Sequence, residues 1–329
     1  MNPFKITGVG TYLPTNEVPS EQLEESLSIK KGWAARYSGV QMRYQSTFES
    51  NAYMGARAIE NALGHAGLEL GDLGLLISAA ATYDYPLPNQ ASLTKLELKD
   101  SENYAFPCID IDTTCLSFVT ALDHAAKSLN PQTCRHVAIV SSEIASKNLN
   151  PNNWETSTLF GDASAAVIIS VDETGEKGSI KYDMRTYCEG AMNTIMKGGG
   201  NEFCFRDHPY DPEMHSFQMN GKHLLRLAKK RLPEFMGTFF EELPFNIQDV
   251  DHVIPHQASM TGLRMFVTLF GLEEEQLESN LEVRGNCIAA SIPTMFCEGV
   301  LDGRIKEGDL CLLCGTSAGF SIGANLIRF

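Results

Sequence analysis

The chain has 329 residues, of which 43% are hydrophobic and 20% charged, with a formal net charge of −15 near neutrality. That length and apolar content build a sizeable core, in one large domain or two ordinary ones, and exclude general disorder. The acidic balance argues against nucleic acid or an anionic membrane as the main partner.

Residues Met1 to Ile6 show no basic start followed by an apolar core. The reading therefore predicts no signal peptide and a cytoplasmic protein. No apolar run is long enough for a bilayer, so no membrane association is expected. The nine cysteines are odd in number and scattered, which fits reduced thiols better than a disulfide frame. Cys311 and Cys314 have zinc-like spacing. They lie in an apolar strand pattern, where residues three apart face opposite sides, so no metal site is expected.

Ile6 to Pro14 read as a short strand ending in a glycine-rich turn. This is no dinucleotide fingerprint, because no third glycine opens a helix after it. Residues 50–67 form an amphipathic pattern with Met54, Ala58, Ala62 and Leu63 on one face. Gly71-Asp72 makes a turn before a buried strand, and a helix follows over about 89–98. A buried strand from Phe106 to Ile111 runs into the turn Asp112-Thr113-Thr114-Cys115. Val119, Leu122, Ala126 and Leu129 then recur at helical spacing, and Asn130-Pro131 closes that helix. Strands begin at His136 and within Phe160–Ile169. Continuous apolar strands alternating with helices predict an α/β fold with a parallel or mixed sheet covered on both faces.

A polar, turn-rich connector follows Val171, and residues 189–216 are irregular. A helix spans about Gly221 to Phe240, after which the opening pattern returns. Gln248-Asp249-Val250 echoes Gly71-Asp72-Leu73, and the strand after Asp309 echoes that at His136. These echoes predict a duplicated architecture with halves 1–172 and 173–329.

Four places carry chemistry, each with a bland alternative. Cys115 sits at a helix start, where the dipole favours a thiolate, or else is an inert buried cysteine. His256 directly follows an apolar strand, where α/β sheets place active residues, or else is a hydrogen-bonded structural histidine. Asn286, between Gly285 and a run of small residues, marks a tight turn or a helix cap. Gly315 to Gly323 form either a nest of backbone donors suited to an oxyanion or a plain small-residue turn.

Taken in order, these motifs resemble one family. Thr113-Thr114-Cys115, Phe160-Gly161-Asp162, Pro255-His256-Gln257-Ala258, Gly285-Asn286 with Ala289-Ala290-Ser291-Ile292-Pro293, and the C-terminal glycine turn are similar to β-ketoacyl-acyl carrier protein synthase III of the thiolase superfamily. The resemblance covers essentially the whole chain. It implies a thiolase-like fold of two similar βαβαβαβαβ halves in five α-β-α-β-α layers, usually as a homodimer. It implies an acyl group on Cys115, with the N–H groups of Cys115 and Ala318 holding the oxyanion. His256 and Asn286 would bind the second thioester and stabilise the enolate left by decarboxylation. No cofactor or metal is implied beyond substrates carried as coenzyme A or acyl carrier protein thioesters. A papain-like protease also needs Cys and His, but the motif order favours the condensing enzyme.

The chain departs from the family where substrates enter. The coenzyme A-gripping segment here is Trp33 to Val40, with Tyr37 at the usual arginine. An aromatic there stacks on adenine but does not pair with phosphate. Ser259 stands at an asparagine, weakening a pantetheine contact, and Thr261 at the arginine that docks the carrier protein. Lys222, Arg226, Lys229 and Lys230 share one helix stripe. That stripe reads either as a substitute carrier-protein patch or as a solvated charged face. Leu87 aligns with an aromatic that reaches into the partner's acyl tunnel, which predicts room for a longer or bulkier acyl group. The leading expectation is decarboxylative condensation in fatty-acid or specialised-metabolite synthesis. The alternative is acyl transfer to an O, N or C nucleophile without decarboxylation. A non-catalytic subunit of a heterodimer is a third reading, opposed by the joint presence of Cys115, His256 and Asn286.

Overall fold

A computed structural model describes residues 2–329. Nine strands form the main sheet: β1 (Asn2–Tyr12), β2 (Leu75–Ser78), β3 (Cys108–Asp110), β4 (His136–Glu143), β5 (Ala163–Val171), β6 (Gly178–Thr186), β7 (His252–Pro255), β8 (Leu310–Ser317) and β9 (Ser321–Arg328). The helices that matter for the site are α1 (Trp33–Ser38), α2 (Asn51–Ala66), α3 (Ser117–Ser128), α4 (Gly221–Phe240), α5 (Met260–Phe270) and α6 (Ser291–Leu301).

The strand order is β7-β8-β9-β6-β1-β5-β4-β2-β3. It divides at the seam between β6 and β1, which pair only through Asn2–Ser179 and Pro3–Gly178. Outward from that seam, each half repeats one plan. Two antiparallel pairings (β1 with β5, β5 with β4) precede two parallel ones (β4 with β2, β2 with β3). Across the seam, β6–β9 and β9–β8 are antiparallel, β8–β7 is parallel, and a parallel bridge joins Val253 to Leu277 where the last strand would lie.

Alternation along the strands builds the layers. Val167 and Ile169 of β5, with Cys311 and Leu313 of β8, face inward onto Val119 and Leu122 of α3 and Met295 and Phe296 of α6. Ala166 and Ile168 face outward onto Ala58, Ile59 and Ala62 of α2. Leu312 and Cys314 face outward onto Leu232 and Phe235 of α4 and Phe266 of α5. The result is five layers, helix–sheet–helix–sheet–helix, with α3 and α6 between the sheets. Cys311 and Cys314 thus join cores on opposite faces, as strand periodicity requires.

The expected elements recur with small shifts. The helix at 50–67 is Asn51–Ala66, and Met54, Ala58, Ala62 and Leu63 are all buried. The strand expected over Phe106–Ile111 shortens to Cys108–Asp110, because β3 is an edge strand paired only with the four-residue β2. Among the described residues, no helix is long and apolar enough to cross a membrane.

Candidate active site

Cys115 lies in a three-residue 3₁₀ turn, Thr114–Leu116, that leads into α3. Asp112 Oδ1 accepts from the Thr114 N–H at 2.8 Å, and Ser117 Oγ accepts from the Thr113 N–H at 3.0 Å. These bonds hold Thr114 at φ 51°, a left-handed conformation that a β-branched residue adopts only under constraint.

The second half contains the same turn. Asn286 Oδ1 accepts from the Ile288 N–H at 2.9 Å, Ser291 Oγ accepts from the Cys287 N–H at 3.0 Å, and Ile288 has φ 48°. Asn286 is therefore the counterpart of Asp112, and Ala289 the counterpart of Cys115. The Asn286 Nδ2 group also donates to the Ala258 carbonyl at 3.4 Å. With its oxygen engaged, the amide turns its donors toward the cavity.

Asn286 is clamped from behind by Phe160-Gly161-Asp162. Its N–H donates to the Leu159 carbonyl at 2.9 Å, and its carbonyl accepts from the Gly161 N–H at 3.1 Å. A Cβ at Gly161 would lie 2.2 Å from the Arg284 carbonyl oxygen. Asp162 fixes the flanking loops by accepting from the N–H groups of Ser46 and Ser146, at 2.8 and 2.9 Å.

His256 ends up beside Gly315, where a Cβ would come within 2.7 Å of the His256 Cβ. Its backbone N–H donates to the Cys314 carbonyl at 2.8 Å. Its buried Nδ1 has no partner among the described residues. Burial pushes the imidazole down to about 4, so it is neutral near pH 7. A neutral ring offers one N–H donor and carries no charge to be quenched.

Cys115, His256, Asn286, Ala318 and Ser259 line one cavity of about 380 Å³. The irregular segment contributes Thr194, Ile195 and Met196 to its wall. The Ala318 N–H is directed at the Cys115 sulfur and favours its thiolate. Desolvation and the buried Glu143 outweigh it, and the thiol is pushed up to about 12. The expected thiolate at a helix start is thus not the resting state. Two things defeat it: α3 proper begins two residues after Cys115, and the sulfur is sealed from water. Iodoacetamide inactivation will rise about tenfold per pH unit from roughly pH 7 to 9. A plateau near neutrality would instead reveal a thiolate stabilised by the helix end.

Glu143 is a site residue that sequence reasoning passed over. It accepts from the N–H groups of Ala81 and Thr82, at 2.7 and 3.0 Å, and from the Thr82 hydroxyl at 2.5 Å. Burial nevertheless raises its carboxyl to about 8. The available signal was an acid ending an otherwise apolar strand.

The remaining expected residues lie outside this cavity. Trp33 stacks on Tyr37 with centroids 4.6 Å apart and planes at 9°, and Trp154 meets Trp33 edge-on at 6.0 Å. The Tyr37 hydroxyl donates to Glu155 at 2.6 Å. Tyr37 thus already covers one face of Trp33, and it lines a separate polar pocket with Arg36, Thr261 and Arg264. Ser259 caps α5, accepting from the Gly262 N–H at 3.1 Å. Lys222, Arg226, Lys229 and Lys230 are exposed on α4, whereas Leu224, Ala228 and Leu232 of the same helix line the cavity. Leu87 is 85% exposed and belongs to no wall of this chain's own cavity.

A five-layered duplicated fold with a cysteine, a histidine and an asparagine in one apolar cavity defines a condensing enzyme of the thiolase superfamily. Residues 109–188 match the family described as 3-oxoacyl-[acyl-carrier-protein (ACP)] synthase III, and residues 240–329 match the C-terminal region of that synthase. β-Ketoacyl-[acyl-carrier-protein] synthase III of Clostridium perfringens (strain ATCC 13124) is 30% identical over 329 residues, spanning 100% of both chains. The crystal structure of 3-oxoacyl-[acyl-carrier-protein] synthase III from Aquifex aeolicus VF5 superposes with a TM-score of 0.88 at 26% identity, covering 99% of this chain and 100% of that one. The priming β-ketosynthase of the R1128 polyketide pathway shares the fold, with a TM-score of 0.87 at 22% identity, over 99% of this chain and 96% of that one. The chain belongs to the 3-oxoacyl-[acyl-carrier-protein] synthase III family.

Proposed function

We propose that the protein loads an acyl group onto Cys115 and joins it to a malonyl-type thioester, forming a carbon–carbon bond with loss of carbon dioxide. One observation carries the residue assignment. Cys115, His256, Asn286 and the Ala318 N–H converge on a cavity whose lining residues include no Asp, Glu, Lys or Arg.

In the first step the Cys115 sulfur attacks the acyl thioester carbonyl. The N–H groups of Cys115 and Ala318 bind the oxyanion, and the carrier thiol leaves with the proton that Cys115 gave up. In the second step the malonyl-type thioester carbonyl accepts hydrogen bonds from His256 and Asn286. Loss of carbon dioxide leaves an electron pair on the α-carbon, spread onto that oxygen as an enolate. The carbon attacks the acyl group, and the Cys115–acyl bond breaks to return the thiolate, which regains its proton. The chemistry draws on thioesters alone and needs no resident cofactor. On this reading residues 1–172 carry the nucleophile, and residues 173–329 carry the two donors.

The carrier assignment rests on the entrance. Exposed Lys222, Arg226, Lys229 and Lys230 give an acidic acyl carrier protein a basic strip on an otherwise acidic molecule. Trp33 and Tyr37 offer a stacking platform for a coenzyme A adenine, with no arginine at position 37 to hold phosphate. The homodimer is supported by the free edge of β3. Exposed Tyr85, Leu87 and Ile109 lie on or near it, an apolar edge that a second copy would cover. In such a dimer Leu87 would reach the partner's tunnel. All nine cysteines are free, which supports a reducing, cytoplasmic setting.

The deciding experiment is intact-protein mass spectrometry after incubation with acyl thioesters of coenzyme A and carrier protein, followed by malonyl carrier protein. Acylation of Cys115 and carbon dioxide release coupled to product formation are expected. A stable acyl-Cys115 that transfers to an O, N or C nucleophile without decarboxylation would overturn the condensing assignment.

A further inference from the structure

The cavity extends beyond the reacting groups, between α4 and α5. Its wall on α4 is Gly221, Leu224, Leu225, Ala228 and Leu232, one stripe at helical spacing. From Gly221 to Leu232 that stripe runs roughly 16 Å along the helix. The facing wall on α5 is Gly262, Leu263, Met265 and Phe266. No side chain along the two walls has a free polar group to offer beyond the helix start. Ser259 supplies the only hydroxyl there, and it already caps α5.

Two glycines open this stretch. A Cβ at Gly221 would meet only Met219 Cε, at 3.7 Å, and one at Gly262 only the Ser259 Oγ, at 3.3 Å. Neither glycine has a left-handed φ, so backbone geometry does not demand glycine at either place. In a helix, glycine costs about 1 kcal/mol relative to alanine. What the missing side chain at Gly262 provides is space on the cavity side.

We propose that this stretch is the bed of a medium-length acyl chain carried by Cys115, and that Gly262 sets the chain length admitted. The inference rests on the acyl-loading role of Cys115. A hydrocarbon fits the walls better than a pantetheine arm. The two amides of pantetheine would lose their water partners there and find none in Leu224, Leu225, Ala228, Leu263 or Phe266. The backbone groups of both helices are already spent on helical hydrogen bonds.

The test is the rate of Cys115 acylation by straight-chain acyl-coenzyme A thioesters from acetyl to decanoyl, read by intact mass. It uses the wild type, Gly262→Leu and Leu87→Phe. The wild type is expected to accept decanoyl at a rate comparable to acetyl. In Gly262→Leu the decanoyl-to-acetyl ratio should fall at least tenfold, the scale that one apolar group imposes on a hydrophobic pocket. Leucine also favours the helix, so the variant should melt no lower than the wild type. The proposal is overturned if the wild type loads acetyl alone, or if Gly262→Leu leaves the ratio unchanged. It is equally overturned if only Leu87→Phe changes the ratio, which would send the chain toward a partner subunit. Failure of every thioester to label Cys115 would sink the acyl-loading reading itself, a result distinct from the other three.

Discussion

Condensation by an Asn286→Ala variant falls by about 10²–10³-fold, the usual cost of losing one donor to a developing oxyanion. Acyl loading of Cys115 stays within a few-fold of wild type in the same variant. The separation follows from geometry. The loading step uses the N–H groups of Cys115 and Ala318, while Asn286 acts only on the second thioester. Its amide needs no reorganisation, because the Ile288 N–H and the Ala258 carbonyl already fix both ends. Cys115→Ala gives the opposite pattern, with no acyl adduct at all. Measuring adduct formation and carbon dioxide release on both variants separates the two roles. Equal loss of loading and condensation in Asn286→Ala would show that Asn286 is structural.

The largest stability effect is expected at Gly161. An alanine Cβ there would sit 2.2 Å from the Arg284 carbonyl oxygen, a backbone atom that cannot swing aside. The strain should cost about 2–4 kcal/mol, read by urea denaturation. It should also reduce condensation about 10²-fold, because the displaced strand is the one that positions Asn286. Gly64→Ala, on a helix with open space around the new methyl, is the control. It should stabilise by about 1 kcal/mol. An unstrained, fully active Gly161→Ala would mean that the clamp does not set the position of Asn286.

Much of this arrangement is legible in the sequence because it is local. The helical face through Met54, Ala58 and Ala62 is set by periodicity, and the strand before His256 by an apolar run closed at a proline. The echo between Asp72 and Asp249 marks the same capped 3₁₀ turn in each half, Leu70–Asp72 and Ile247–Asp249. What is not legible depends on residues far apart in the chain. Glycine at 161 reads as a turn residue until Arg284 is seen against it. The state of the Cys115 thiol is set by burial and by Glu143, and neither shows in the turn's own spacing. Tyr37 reads as a lost arginine, but whether it leaves Trp33 free depends on a rotamer that folds one ring onto the other. The bed between α4 and α5 depends on a side chain that is missing.

The paired turns at Asp112–Ser117 and Asn286–Ser291 have a consequence for how such a centre is inherited. Both copies keep the same backbone strain at Thr114 and Ile288 and the same hydroxyl at the helix start. They differ in what they present: a thiol where the other has the methyl of Ala289, a carboxylate where the other has an amide. Once an ancestral half had been duplicated, a two-part reaction centre required no new loop. It required the copies to diverge at a few side chains, one becoming the bearer of a covalent bond and the other a donor of hydrogen bonds. The fused chain makes that division of labour permanent, because neither turn can be lost or exchanged without the other.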